Sequence, residues 1–578
     1  MPDDLEKTGV HTVVAAPGTR SEINPWAVAL TVMLATFMEV LDTSVANVAL
    51  PHIAGNLSST IDESTWVLTS YLVANAIVLP LAGWFSTLFG RKRFYMACVL
   101  LFTVSSFLCG LAPNLWSLVL FRILQGAGGG AMQPISQAIL VETFPKEKHG
   151  MAMAVYGMGV VFAPIIGPTL GGWITDDYSW RWIFLINIPV GLLSLLLTAM
   201  LIFDPPYLER KSLRGGLRID YAGLGLIAAG LGFLQVLLDE GQREDWFSSN
   251  LIVTSAVIAC VCLVSVFFWE RRQKEPVVDF RLLRDRNFGL ATVTMFLVGF
   301  VLYGSTVLLP IFLQTMMGYT ALLSGLALSP GGVMVLLLMP LVGKLLSKNV
   351  EPRWMLMFGL IVSAVGLFQM AGFNLQVDIG TAIRARMVQS IGLAFLFVPL
   401  NTLAFSRLPK EKANSATGLI NLARNIGGSA GIAMVTTALA RRSQFHQQIL
   451  VSHLTPFDNR YREMLHGATQ MLVAKGSSAT QATHQAHALI YGMLQRASAM
   501  KAFIDTFWLL GITFIALAPV MLLMKKREAG RREAGIGSEI PPAGERMPQE
   551  TGRNRRFSGP ASQAGRGAQL HPAGTGRL

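Results

Sequence analysis

The sequence predicts an all-α, multi-pass membrane protein built from two like halves with two extra central helices, fourteen spans in all. Three observations predict this. Hydrophobic residues make up 52% of the 578 and charged residues only 14%, where soluble domains carry about 25% charged residues. Apolar runs of about 20 residues, enough to cross a hydrocarbon core of about 30 Å, recur from end to end. A short pattern also repeats without a gap, Arg122-Ile-Leu-Gln125-Gly-Ala-Gly128 against Arg386-Met-Val-Gln389-Ser-Ile-Gly392, an offset of 386 − 122 = 264.

Residues 1–24 are polar and mixed in charge, with no cleavable signal pattern, and read as a cytoplasmic segment. The first half, 25–204, holds apolar runs near 26–50, 65–88, 94–111, 115–140, 152–174 and 182–203. A linker, 205–287, carries two more near 220–238 and 250–269. The second half, 288–524, has runs near 289–313, 322–346, 354–373, 379–403, 414–438 and 502–524. The 264 offset also carries Pro145-Lys-Glu-Lys148 onto Pro409-Lys-Glu-Lys412 and Gly167 onto Gly431, so the halves have like orientation. Parallel repeats of this kind turn about an axis along the membrane normal. Between the last two runs, 440–500 is a long polar outward-facing loop whose Gln-Ala-His repeats are compatible with helix and whose histidines, irregularly spaced, read as solvated surface. The tail, 525–578, is rich in Arg, Gly, Pro and Ala and reads as disordered chain whose arginines touch anionic lipid headgroups.

The net charge of +13 is topological. Alternate loops carry the basic residues, among them Arg91-Lys92-Arg93, Lys146, Lys148, Arg271, Arg272, Lys348 and Arg353, while 52–64, 112–114 and 317–320 have no Lys or Arg. This bias predicts both termini in the cytoplasm and argues against a nucleic-acid footprint. All four cysteines fall inside apolar runs, so no extracellular disulfide framework is expected. No Walker A sequence is present, so the reading is a carrier without a cofactor, not an enzyme.

Ionisable residues within spans mark function by default, since each costs a few kcal/mol or more in lipid. Glu39 and Asp42 in the first run, spaced i,i+3, share a helical face. A rise of 1.5 Å per residue puts them about 20 and 24 Å in, at nearly the depth of Arg122 in the fourth run. A carboxylate and a guanidinium at one depth can pair, and protonating the carboxylate would release its partner. The second half contributes Arg386 and Arg424, with no acidic partner evident in its spans. The segment Gly157–Gly172 concentrates glycines with Pro164 and Pro168, which permit close helix approach and a bend. By the offset Pro164 falls on Gly428 and Pro168 on Ile432, so the prolines belong to the first half only.

Together these motifs resemble the major facilitator superfamily, and within it the fourteen-span drug:proton antiporters of the EmrB type. The likeness runs over about 26–524. It is carried by Leu41-Asp42-Thr-Ser-Val-Ala-Asn47-Val-Ala-Leu-Pro51, Trp66-Val-Leu-Thr-Ser-Tyr71, Arg122 with Gln125-Gly126, the Gly159–Gly172 block and Trp180-Arg-Trp-Ile-Phe-Leu-Ile-Asn187-Ile-Pro189-Val-Gly191. The resemblance implies proton-driven export of lipophilic compounds across a bacterial inner membrane. Asp42, Glu39 and Arg122 would serve proton coupling, and Gly159, Pro164, Gly167, Pro168, Gly171 and Gly172 would form the antiporter motif that disfavours leak. Gly83, Gly90, Arg91, Lys92 and Arg93 would form the gating loop, although Thr87 stands where that family's pattern has Asp. Pumps of this type work with a periplasmic adaptor and an outer-membrane channel, for which 440–500 is the candidate contact. The alternatives are an exporter of one endogenous metabolite or siderophore, a non-transporting receptor or scaffold, and a passive channel.

Overall fold

A computed structural model describes residues 24–204 and 220–525, apart from 146–147, 274–275, 349, 407 and 409–411. The readings made for 1–23, 205–219 and 526–578, and most of the repeated Pro-Lys-Glu-Lys loops, lie outside the described residues. In chain order the helices are α1 (Pro25–Asn56), α2 (Ile61–Ser64), α3 (Trp66–Phe89), α4 (Arg91–Gly110), α5 (Leu115–Gly129), α6 (Met132–Thr143), α7 (His149–Asp177), α8 (Trp182–Leu185) and α9 (Asn187–Leu201). They continue as α10 (Tyr221–Glu240), α11 (Asn250–Arg272), α12 (Arg286–Thr315), α13 (Ala321–Ser347), α14 (Pro352–Ala371), α15 (Ile379–Phe405), α16 (Ala413–Val451), α17 (Asn459–Ala474) and α18 (Ala479–Leu517).

Among the described residues eleven helices, or twelve with the bent α7, are long and apolar enough to cross a membrane. The broken pair α5–α6 and the polar α16 complete the fourteen expected crossings. Both fall short of the apolar criterion for a chemical reason: they carry Arg122, Gln133, Asn421 and Arg424 into the interior. Large apolar side chains such as Leu100, Val104, Val257, Val261 and Phe268 point outward, as a lipid-facing surface requires.

The 264-residue repeat is visible in the backbone. Helices α5 and α15 begin 379 − 115 = 264 residues apart, and α7 and α16 begin 413 − 149 = 264 apart. Even the caps correspond: Asn114 accepts from the Ser117 amide and Asp378 from the Thr381 amide, each satisfying a free helix-start donor. In each half the glycine-bearing helix lies against the half's first helix. A Cβ on Gly167 would stand 2.2 Å from Ser44 Oγ in α1, and one on Gly431 2.1 Å from the Phe300 carbonyl in α12. The halves meet along two seams, α7 with α13 and α3–α6 with α16. The extra helix α10 packs on α3 and α16 beside the second seam, and α11 packs on α10.

The outward connection 440–500 is largely helical. Helices α16 and α18 run beyond their apolar stretches, and α17 lies between them. Burial of Ala482, Ala486, Ile490 and Leu494, four residues apart, gives α18 one packed stripe. Asp458 and Ser478 cap the starts of α17 and α18, and Gly476 at φ 98° follows the end of α17. Of the histidines there, His446 bonds Asp505 at 2.8 Å and His487 bonds Tyr461 at 2.9 Å.

The glycine contacts make a direct test. Gly167→Val is expected to destabilise the purified protein by about 1–3 kcal/mol through overpacking against Ser44, read as a lower melting temperature. Gly172→Ala, whose added carbon would meet no atom within 4 Å, is expected to leave that temperature unchanged.

Candidate functional site

The glycine-rich end of α5 sets the site's geometry. Cβ atoms on Gly126 and Gly130 would stand 2.3 Å from the Tyr71 carbonyl and 2.6 Å from the Asn75 carbonyl, so only glycine lets α5 press this closely on α3. That approach brings Arg122, fully buried, within 2.5 Å of Asp42 Oδ2. The Arg122 guanidinium also donates to the Val67 carbonyl at 3.0 Å and to Gln125 Oε1 at 2.9 Å, and its carbon lies 4.2 Å from the Tyr71 ring centroid. Asp42 Oδ1 accepts from Gln125 at 3.0 Å and from Asn187 at 2.8 Å. Four elements, α1, α3, α5 and α9, thus converge on one ion pair.

Glu39 belongs to a different set of contacts, although it shares a helix face with Asp42. It accepts from the Tyr71 hydroxyl at 3.3 Å, Asn75 at 3.1 Å and Gln133 at 2.6 Å. Gln133 is two-headed. Its amide NH₂ donates to Glu39, while its carbonyl oxygen accepts from Arg424 Nη2 of the second half. An amide offers one donor end and one acceptor end, so it fits between a carboxylate and a guanidinium in one orientation only. Further contacts cross the same seam: nearer the basic face Gln137 and Asn421 exchange hydrogen bonds, and beside Glu39 Asn425 donates to Asn75 at 3.3 Å.

In the second half, Arg386 repeats the pairing of Arg122 with a glutamine one turn on, donating to Gln389 at 2.8 Å. Its other described bonds go to the hydroxyls of Ser305 at 3.4 Å and Thr306 at 3.1 Å. A small cavity lies between the halves, lined among others by Val160 and Pro164 of α7, Tyr303 and Thr306 of α12, Arg386 and Arg424.

The comparisons with known proteins settle the family. The profile of the Major Facilitator Superfamily matches residues 32–432. The chain belongs to the major facilitator superfamily. It is 38% identical over 501 residues to the multidrug export protein EmrB of Haemophilus influenzae, covering 86% of this chain and 95% of that one. It is 38% identical over 503 residues to the fatty acid resistance protein FarB of Neisseria gonorrhoeae (86% and 96% covered), and 36% identical over 498 residues to EmrB of Escherichia coli K12 (85% and 94%). Among solved structures it resembles the proton:xylose symporter XylE with a TM-score of 0.54 at 14% identity, covering 87% of this chain and 96% of that one. That last likeness concerns the fold. The chain is therefore a multi-pass transporter of this superfamily.

Within the superfamily frame the Gly-Pro block has a specific local chemistry. Pro168 has no N–H to donate to the Pro164 carbonyl one turn back, and the Ser44 hydroxyl of α1 donates to that carbonyl instead, at 3.1 Å. Helix α7 bends by 42° between its segments His149–Pro164 and Ile166–Asp177. Gly159 and Gly171 face α1 at Met33 and Val45, with added carbons at 2.8 and 3.0 Å, whereas a carbon added at Gly172 would meet no atom within 4 Å. The expected gating loop is shorter than a loop. Gly83 lies inside α3, and Gly90, at φ 84°, alone separates α3 from α4. Arg91 pairs with Glu142 at the end of α6, Lys92 Nζ donates to the Ala199 carbonyl at 2.6 Å, and Arg93 is exposed. Thr87 donates to the Trp84 carbonyl of its own helix, and the acidic partners of this basic turn are Glu142, paired with Arg91, and Asp204, which accepts from the Lys92 amide at 2.8 Å.

Sequence reasoning did not single out Gln133, Glu142 or the role of Asn187 as a donor to the Asp42 carboxylate. Polar residues in an apolar run were a usable signal for Gln133 and Gln137. Their partners across the seam were not, because pairing between halves has no fixed spacing.

Two measurements follow from these contacts. Gln133→Leu keeps the volume and removes both ends of the bridge, so it is expected to cost about 1.5–3 kcal/mol, as for hydrogen bonds to charged groups, seen as a lower melting temperature. Pro168→Ala restores an N–H that competes with Ser44 for the Pro164 carbonyl. Proton leak through reconstituted vesicles is expected to rise while the melting temperature changes little; equal loss of both would return the block to ordinary helix packing.

Proposed function

We propose that this protein is a proton-coupled antiporter that exports lipophilic compounds out of the cytoplasm. The observation that carries the reading is the buried Asp42–Arg122 pair at 2.5 Å, held inside the first of two like halves. Support comes from the relatives named for multidrug export, which match this chain over nearly their whole length. The basic face, bearing Arg91, Arg272, Arg286 and Arg353, lies on the cytoplasmic side of the inner membrane by the charge bias of membrane topology, and both termini lie with it. The helical projection of α16, α17 and α18 then faces the periplasm, where it is the surface for an adaptor leading to an outer-membrane channel.

In this mechanism an ionised Asp42 holds Arg122 and closes the first half around it. A proton arriving from the outer side neutralises Asp42, and the guanidinium loses its charged partner in a medium where few substitutes exist. The loss shifts the balance between arrangements of the bundle, and release of the proton to the cytoplasm restores the pair. The proton gradient supplies the drive and no cofactor takes part.

The test uses the full chain in vesicles with an imposed pH gradient and several neutral lipophilic dyes. Wild type is expected to show gradient-dependent efflux, and Asp42→Asn and Arg122→Ala to lose it by tenfold or more. Efflux that still follows the gradient in Asp42→Asn would overturn the coupling role of Asp42.

A further inference from the structure

A groove runs along the outer half of α16 beneath the end of α10, and we propose that it holds a phospholipid of that leaflet. One acyl chain lies in the groove and an anionic phosphodiester head group rests on Arg441. This lipid is a fixed companion of the fold rather than cargo, so its binding does not depend on the export reading.

The groove is built from small side chains and a fixed roof. Ala430, Ala433, Met434 and Ala438 share one face of α16 at spacings of three and four residues and form the floor, while Leu238 of α10 and Trp246 in the turn after it form the roof. Three of those four floor residues are alanines, and α10 and α16 leave about 380 Å³ between them. An apolar groove holds water poorly, and beside a bilayer its natural content is hydrocarbon. The turn is strained so as to place the roof. Asp245 and Trp246 both stand at a left-handed φ of 51°, which residues other than glycine rarely adopt. The Trp246 indole N–H donates to Gln242 at 3.2 Å and to Thr437 of α16 at 3.0 Å. The indole is thereby held over α16 at the groove's mouth, and such rings favour the level of lipid head groups.

Helix α18 marks that level independently. Its Asp505 pairs with Arg442 at 3.5 Å, and the exposed side chains that follow are Trp508, Leu509, Ile512 and Ile515. Hydrocarbon therefore begins just below the Arg442–Asp505 pair. From Arg441 down to Ala430 is 441 − 430 = 11 residues, about 16 Å at 1.5 Å per residue. Half of a hydrocarbon core of about 30 Å is about 15 Å, so the groove is one leaflet deep.

The charge at the mouth selects the head group. Arg441 and Arg442 both line it. Arg442 is taken by Asp505, whereas Arg441 is exposed and makes no ion pair among the described residues. No carboxylate stands among the described lining residues. One uncompensated guanidinium calls for one negative charge, and a phosphodiester supplies it on two oxygens that fit the arginine fork. A zwitterionic head group brings an ammonium as well, so an anionic lipid is favoured.

The full chain, carrying a photoreactive benzoylphenylalanine in place of Leu238, is reconstituted in vesicles of phosphatidylglycerol, an anion, in excess zwitterionic phosphatidylcholine. After irradiation the lipid adducts at that position are identified by mass. Phosphatidylglycerol is expected to be enriched about fivefold over its share of the bilayer, the scale of one basic residue near an anionic surface. Arg441→Gln, at an exposed unpaired site, is expected to return the adducts to the bilayer proportion, and Arg272→Gln on the opposite face to keep the enrichment. Adducts in bilayer proportion with Arg441 intact would overturn the proposal, by leaving ordinary boundary lipid. Enrichment that survives Arg441→Gln, or that falls equally in Arg272→Gln, would overturn it as well. So would the absence of any lipid adduct, or its loss when a neutral lipophilic dye is added, which would make the groove a path for cargo.

Discussion

The ion pair between Asp42 and Arg122 is the contact around which the first half is built. An isolated charge in hydrocarbon is costly, and removing one partner of a buried pair typically costs about 3–5 kcal/mol. Here both partners are almost fully enclosed, and Gln125, Asn187, the Val67 carbonyl and the face of Tyr71 surround them, with Arg122 Nη2 left without a hydrogen-bond partner among the described residues. The depth of α1 relative to α3, α5 and α9 is therefore set by chemistry as well as by packing. Glycines at 126 and 130 exist to let this happen: any side chain there would hold α5 away from α3 and leave two charges apart in an apolar medium.

The second half keeps the scaffold and changes the chemistry. Helix starts, caps and the arginine–glutamine turn all recur, so the same folding solution was used twice. Where the first half closes its charge internally, the second leaves its charge facing the seam. Gln133 joins the two arrangements, since it is the residue whose amide contacts a carboxylate of one half and a guanidinium of the other. A proton on Glu39 and a change at Arg424 are thereby events in one connected set of hydrogen bonds.

Much of this was legible in the sequence, and for identifiable reasons. Span number and like orientation follow from apolar length and from a gapless repeat, both one-dimensional properties. The Asp42–Arg122 meeting was legible because depth in a bilayer converts residue count into position. The partner of Arg424 was sought within its own half and lay in the other, on a helix with no repeat relation to it. The polar composition of 440–500 marks it as a connection outside the apolar spans, and the four-residue spacing of Ala482, Ala486, Ile490 and Leu494 is the signal that it is helical. Gly172 sits in the same block as Gly167 with room for an added carbon, so the packing seen here does not itself require glycine at that position.

Helix α16 is continuous over 39 residues, about 58 Å at 1.5 Å per residue. Arg424 sits near its inner third, and some 27 residues, about 40 Å, separate it from the helix end at Val451. The helix is thus a stiff rod with its charge-bearing point in the membrane and its far end outside. A tilt of about 10° about Arg424 displaces that end by about 7 Å, from the same rise per residue. Small rearrangements at the buried charge are delivered outside the membrane as a mechanical stroke, with no jointed linker in between to absorb them.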